Sequence, residues 1–301
     1  MRSSLEKLIK DTIMLQYELP YSISNIDKSC ITSEKDICFS TDDSKKVSSV
    51  IYNSIVEYSK NEYFIDYEQL SIEQIKALQF ALRYEEDASD LEKQKYGFFG
   101  EVLLDAILRV HMGTQVLISK GYFYNPLENA EAKGYDLFHL IEGDDKTELW
   151  FGESKFYLDG NAAISKILNN LENVLQPKYF DKNVISIIKF KDVRTSIGSK
   201  FDRIIEKWED NPDIIISDEV KNLNMKLIYP MFVAYEIDKK CNYEADISKR
   251  IEYISNEVSK KKFKNGLPFD ISLFFIFLPL TGVSLIKKDV IEWISIRKPL
   301  I

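Results

Sequence analysis

The chain is 301 residues long, 45% apolar and 29% charged, with a formal net charge of -8. That length leaves room for one large or two ordinary domains with a substantial core, and the composition is that of a soluble globular protein. The acidic balance counts against a general nucleic-acid-coating protein, which is ordinarily basic, but not against a nuclease, whose metal-holding acids bias the sum negative.

The first stretch, Met1-Arg2-Ser3-Ser4-Leu5-Glu6-Lys7, lacks the apolar core of a signal peptide. Cys30, Cys38 and Cys241 are an odd, scattered set. They make neither a disulfide framework nor a zinc-finger spacing, and His111 and His139 are the only histidines. A reducing, cytoplasmic setting is expected. Residues 1–92 are rich in Ser, Asp, Tyr and Lys and read as an N-terminal α+β region, a candidate for docking a partner. Within it, Ser71 reads as the N-cap of a helix carrying Ile75, Leu78, Gln79 and Leu82. Asp87 to Lys95 reads as a polar loop or helix edge.

From about residue 93 the pattern becomes that of a core domain running to 301. Phe98 to Val110 is apolar nearly all round, so it reads as a buried helix. Glu101, Asp105 and Arg109 form the one polar stripe along it. Three strands are expected next: Gln115 to Ser119, Tyr135 to Ile141 and Glu148 to Leu158. Gly143-Asp144-Asp145-Lys146 supplies turn chemistry between the last two. Gly160-Asn161 opens an amphipathic helix with Ile164, Ile167, Leu168, Leu171, Val174 and Leu175 on one face, ending before Pro177. Val184 to Phe190 reads as strand or helix. A helix near 198–208, a strand over Lys226 to Ile237 and a charged helix near 243–262 follow. Ile271 to Leu278 reads as a buried central strand, far short of the roughly 20 residues that span a bilayer. A helix over about 287–296 closes the chain. Strands alternating with helices predict a mixed α/β or α+β fold with helices flanking a central sheet.

The chemistry concentrates in Trp150-Phe151-Gly152-Glu153-Ser154-Lys155-Phe156-Tyr157 and the upstream Gly134-Tyr135-Asp136. Strand side chains alternate, so Glu153 and Lys155 share one face while Gly152 and Ser154 take the other, where their small size lets a helix pack closely. An acid and an amine on a buried face are costly unless they act together or bind something. Phosphodiester cleavage needs such a set: carboxylates to hold Mg²⁺, with Mn²⁺ as an alternative, and a lysine to orient or polarise the attacking water. Asp136 and Glu153 are the expected metal ligands on neighbouring strands, with Glu101 joining from the helix directly or through a metal-bound water. Asp105 is a weaker candidate for the same stripe. An Asp105–Arg109 ion pair, structural roles for His111 and His139, and a solvated face for Lys260-Lys261-Lys262-Phe263-Lys264 are the plainer readings of the remaining signals. For that last run a phosphate-tracking patch is the functional alternative.

A helix acid, a strand acid and Glu-x-Lys on the next strand resemble the core of the PD-(D/E)xK nuclease superfamily, which includes restriction endonucleases and Holliday-junction resolvases. Gly134-Tyr135 stand where that superfamily's Pro precedes the acid. More narrowly, Gly97-Phe98-Phe99-Gly100-Glu101, Lys133-Gly134-Tyr135-Asp136 and Phe151-Gly152-Glu153-Ser154-Lys155-Phe156 resemble the HamA family, the nuclease subunits of Hachiman antiphage defence, encoded beside a superfamily 2 helicase, HamB. The resemblance implies a restriction-endonuclease-like core with an N-terminal α+β extension. It also implies a non-specific DNase with DNA as substrate, a HamB-like helicase as partner, and Glu101, Asp136, Glu153 and Lys155 as site residues. The alternative is a catalytically silent subunit that regulates or recruits a helicase. A sequence-specific restriction enzyme is a third option, without a recognition motif in the sequence.

Overall fold

The structure is a computed structural model and describes residues 1–20, 35–82, 84–125, 130–131, 134–143, 147–190 and 198–301. Helix α1 (Ser3–Thr12) leads into strands β1 (Met14–Pro20) and β2 (Lys35–Ser40). Helix α2 (Ser44–Ser59) begins at Asp43, whose carboxylate accepts the Lys45 N–H at 2.8 Å. Two 3-10 turns, Glu62–Phe64 and Tyr67–Gln69, precede α3 (Leu70–Phe80) and α4 (Asp90–Lys93). Then come α5 (Phe98–His111), β3 (Gln115–Ile118), the short strands β4 (Tyr124–Asn125) and β5 (Ala130–Glu131), β6 (Leu137–Glu142) and β7 (Thr147–Tyr157). Four helices follow: α6 (Gly160–Val174), α7 (Pro177–Ile188), α8 (Lys200–Asp210) and α9 (Ile216–Asn222). The chain closes with β8 (Met225–Glu236), α10 (Tyr243–Lys261), β9 (Ile271–Leu280) and α11 (Val283–Ser295).

Seven strands form one mixed sheet in the order β1-β2-β9-β8-β7-β6-β3. The centre, β7, β8 and β9, is parallel, and helical crossovers connect it. The antiparallel pairs lie at the flanks. Central parallel strands bury both faces, which explains why every residue of β9 is buried. This is the mixed α+β architecture expected from the alternating pattern, and it is consistent with an α/β nuclease-like fold.

The two faces of the sheet carry two apolar layers. On one, α6, α7, α8 and α10 pack over Phe151, Tyr229 and Phe275. On the other, α1, α2, α5 and α11 pack over Trp150, Phe156, Phe232 and Phe274. The N-terminal segment therefore supplies two strands of the sheet and much of the second layer. No described helix is long and apolar enough to cross a membrane. Neither Cys38 nor Cys241 is in a disulfide, and Cys30 lies outside the described residues.

Several elements depart from the sequence pattern. Ser71 is not an N-cap: α3 begins at Leu70, beyond a turn that Asp66 caps. Its inward residues are Glu73, Gln74, Ala77 and Leu78, because Glu73 pairs with Lys60 at 2.6 Å and Gln74 donates to the Tyr52 carbonyl at 3.2 Å. Tertiary pairing here outweighs local hydrophobic periodicity. Val184 to Ile188 is helical, within a helix that Pro177 opens, and α9 lacks any forecast in the pattern. Helix α11 starts at Val283, a turn before the expected 287. The β6–β7 pair is antiparallel as expected, although 144–146 of its turn lie outside the described residues.

Candidate active site

The site is built where β6 begins beside the middle of β7. Asp136 stands one residue before β6, and its N–H donates to the Gly152 carbonyl at 2.9 Å, which fixes it opposite Glu153. Its Oδ2 accepts the Ser154 N–H at 2.8 Å and the Ser154 hydroxyl at 3.3 Å. Along β7 the alternation holds. Phe151 stacks on Phe180 of α7, and Glu153 reaches Asn170 of α6 on that same face. Gly152 and Ser154 face α5.

Lys155 joins the two acids. Its Nζ lies 2.8 Å from Glu153 Oε1 and 4.0 Å from Asp136 Oδ2, and it donates to the Ser154 carbonyl at 2.8 Å. Burial alone would lower its pKa, but Asp136 and Glu153 outweigh burial and raise it. Lys155 is therefore held as a cation and donor. Burial pushes the Asp136 carboxyl up, with Glu153 adding to the rise and Lys155, Lys120 and the Ser154 N–H opposing it.

Three supporting residues have no place in the sequence reading. Glu153 Oε2 accepts two bonds, from Asn170 Nδ2 at 2.8 Å and from the buried Tyr229 hydroxyl at 2.8 Å. Buried Lys120 donates to the Tyr135 carbonyl at 2.7 Å, next to Asp136. A tyrosine in a buried parallel strand must find a partner for its hydroxyl, and Asn at 169, 170 and 173 is out of keeping with a helix interior. Those two signals are present in the sequence. Lys120, between Ser119 and Gly121, carries none.

Glu101 approaches from α5, on the Ser154 side of β7. A Cβ on Gly100 would stand 3.2 Å from Ser154 Oγ and from Phe156 Cβ, and one on Gly152 would stand 3.2 Å from Leu104 Cδ2. The close helix packing expected against Gly152 and Ser154 is thus made by α5 itself. Glu101 consequently sits across β7 from Glu153, accepting a hydrogen bond from Tyr58 of α2. The structure brings Asp136, Glu153 and Lys155 together, and Gly100, next to Glu101, packs against Ser154, whose hydroxyl donates to Asp136. Lys133 lies outside the described residues. Among the described residues, no group of three or more His, Cys, Asp or Glu side chains is placed to hold a metal ion. The Asp136–Glu153 pair still offers the donor chemistry that Mg²⁺ takes, hard carboxylate oxygens from one or two residues, the other positions going to water and substrate.

Asp105 forms the expected ion pair with Arg109, at 2.9 Å, and also holds His139 Nε2 at 2.9 Å. His139 Nδ1 pairs with the Thr114 hydroxyl at 2.7 Å. This cluster is separate from the Asp136 site and serves the packing of α5 on β6.

The HamA family profile matches residues 9–294, and the chain belongs to that family. Membership carries with it a setting in Hachiman antiphage defence. No curated protein matches the sequence significantly.

Proposed function

We propose that this HamA-family chain is a metal-dependent deoxyribonuclease of the PD-(D/E)xK type, the effector of an antiphage complex with a superfamily 2 helicase. One observation carries the reading: Lys155 Nζ lies 2.8 Å from Glu153 and 4.0 Å from Asp136, in a partly exposed cluster where β6 begins beside β7. Two acids and a lysine brought together from two strands are the minimal set for hydrolysing a phosphodiester.

Asp136 and Glu153 would hold Mg²⁺, or Mn²⁺ in its place, and the bound ion would supply Lewis acidity and an acidified water. The chain's own residues do the rest. Tyr229 and Asn170 hold one oxygen of Glu153, which leaves Oε1 directed to Lys155. Ser154 fixes Asp136 through Oδ2, and Oδ1 accepts no hydrogen bond from a described residue. Lys155, kept protonated by its two acidic neighbours, donates to the attacking water or to a phosphate oxygen and balances charge that develops there. It does not act as the base. Glu101, across the strand, would contribute through a bound water or after substrate binding.

Supercoiled plasmid cleavage by the purified chain tests the reading. Mg²⁺-dependent degradation, abolished by EDTA, by Glu153→Gln and by Lys155→Ala, is the expected result. No cleavage in Mg²⁺ or Mn²⁺, after removal of any bound helicase, leaves the interaction-subunit alternative standing. The helicase partner rests on family membership, and co-purification with the neighbouring helicase tests it.

A further inference from the structure

The lysine run at the end of α10 lies beside the site. Lys261 Nζ donates to Asn169 Oδ1 at 2.8 Å, and the next residue, Asn170, holds Glu153. The run is fixed in place. Helix α10 ends at Lys261, and Lys262 takes a left-handed conformation with φ 49. Phe263 is buried in the core, so Lys262 and Lys264 are displayed to either side of an anchor. The Gly266 N–H then donates to the Leu175 carbonyl at 2.9 Å, pinning the segment to the corner between α6 and α7. Helix α7 starts at that corner. Its exposed Lys178 and Lys182 flank Tyr179, whose pKa is raised first by burial and then by nearby Glu153 and Asp136. Lys178, Lys182, Lys261, Lys262 and Lys264 form no salt bridge with any described residue, whereas Lys260 is neutralised by Glu257 at 2.8 Å. Exposed lysines without an acidic partner among the described residues occur elsewhere too, at Lys45, Lys239 and Lys240 for example, so position and not pairing singles this group out. Here they border the residues that touch Glu153.

We propose that Lys178, Lys182, Lys261, Lys262 and Lys264 form a strip that tracks the DNA phosphate backbone across the α6–α7 corner to the Asp136–Glu153–Lys155 site. The assignment deepens the nuclease reading and rests on it. Charge complementarity selects the occupant: a strip of exposed lysines with no recognition element beside it reads phosphates, not bases.

The test uses the full chain with a fluorescein-labelled DNA duplex of mixed sequence, measuring binding by anisotropy across a salt series and plasmid cleavage in parallel. K261E/K262E/K264E is compared with wild type and with K45E/K46E, a control at the start of α2. The strip variant is expected to bind about 10-fold or more weakly and to flatten the log K against log salt slope by roughly 0.9 for each phosphate that is no longer neutralised. Its KM for plasmid rises while kcat stays within about two-fold, as for loss of uniform binding. The control leaves all four quantities unchanged. An unchanged salt slope and KM in a wild type that cleaves would overturn the strip and leave the nuclease reading intact. Lysine-dependent binding without cleavage in any metal would keep the strip and remove the nuclease reading. Should the reversal variant unfold on a thermal melt, K261Q/K262Q/K264Q gives the same readout with a smaller slope change, and no change there also overturns the proposal.

Discussion

Two clusters of acids and bases lie within this molecule, and they differ in whether they close. Around Asp105 the charges are paired and shut away from solvent: His139 bonds one oxygen, Arg109 Nε lies 2.9 Å from the other as an ion pair without hydrogen-bond alignment, Arg109 also holds Glu62 at 2.7 Å and the Glu57 carbonyl at 2.8 Å, and Thr114 pairs with His139. The Asp105, His139 and Arg109 side chains are 3%, 2% and 7% exposed. Around Asp136 the closure is incomplete. Asp136, Lys155 and Glu153 are 20%, 17% and 11% exposed, and Lys155 is 4.0 Å from Asp136. A closed network holds a fold together, while an open one retains oxygens and a cation that something else can use. Similar sets of acids and cations thus serve opposite ends, and access decides which.

The comparison breaks most sharply through activity. Glu153→Gln keeps a partner for Tyr229 and Asn170 yet removes the charge. It is expected to cut plasmid cleavage by about 10³-fold while leaving the unfolding midpoint in urea close to wild type. If the same loss came with wholesale unfolding, the open cluster would be structural after all.

The reverse applies to the closed cluster. Arg109→Met takes the cation from buried Asp105, while partly exposed Glu62 keeps the N-terminal ammonium at 2.7 Å, and breaking a buried pair from one side costs about 3–5 kcal/mol in chemical denaturation. Cleavage per folded molecule should stay near wild type. A large activity loss in a still-folded Arg109→Met protein would tie the two clusters together.

Tyr229→Phe sharpens the comparison at the residue level. It removes one of the two bonds to Glu153 Oε2 while keeping the ring in the core. Losing a residue that orients a metal ligand typically costs about 10–100-fold in metal affinity or activity. The expected signature is a higher Mg²⁺ requirement, and addition of more Mg²⁺ should restore part of the rate.

The smallest expected effect is pH dependence from His139. Burial lowers its pKa below the ordinary 6.5, although Asp105 opposes the shift, so the folded protein keeps it neutral where the unfolded chain is protonated. Its contribution to stability is complete above about 6.5 and declines as pH falls toward the folded value. Asp36 slopes the other way, because burial pushes its carboxyl up to about 7. The wild-type profile is therefore a sum, and subtracting the urea midpoints of His139→Gln at pH 5.5 and 7.5 isolates the histidine. A difference that does not change with pH would mean that His139 has the same pKa folded and unfolded, and one of opposite sign would mean that the fold favours its protonated form.

Much of the site is legible in the sequence because it depends on local geometry. Glu153 and Lys155 share a face, and Gly152 and Ser154 oppose them, since strand alternation is a property of the backbone. Asp136 pairs with the same strand because a short antiparallel connection leaves little choice of partner. Lys120, Asn170 and Tyr229 come from three separate elements, and no spacing along the chain places them near Glu153. Within the N-terminal region, Leu78 and Leu82 of the expected stripe are buried, but Glu73 and Gln74 turned inward in place of Ile75 and Gln79, because they found partners on and just after α2.

By itself the sequence determined the central strands, the buried helix α5, the Glu153–Lys155 pair and the membership of the HamA family. Only the tertiary structure decided which side of β7 that helix occupies. Its placement against Gly152 and Ser154 put Glu101 on the opposite face of β7 from Glu153, and the same packing buried the Asp105 cluster while leaving the Asp136 cluster partly open. Periodicity fixes which residues share a face within one element; which element covers that face is set by long-range packing of whole layers, and no local pattern encodes it.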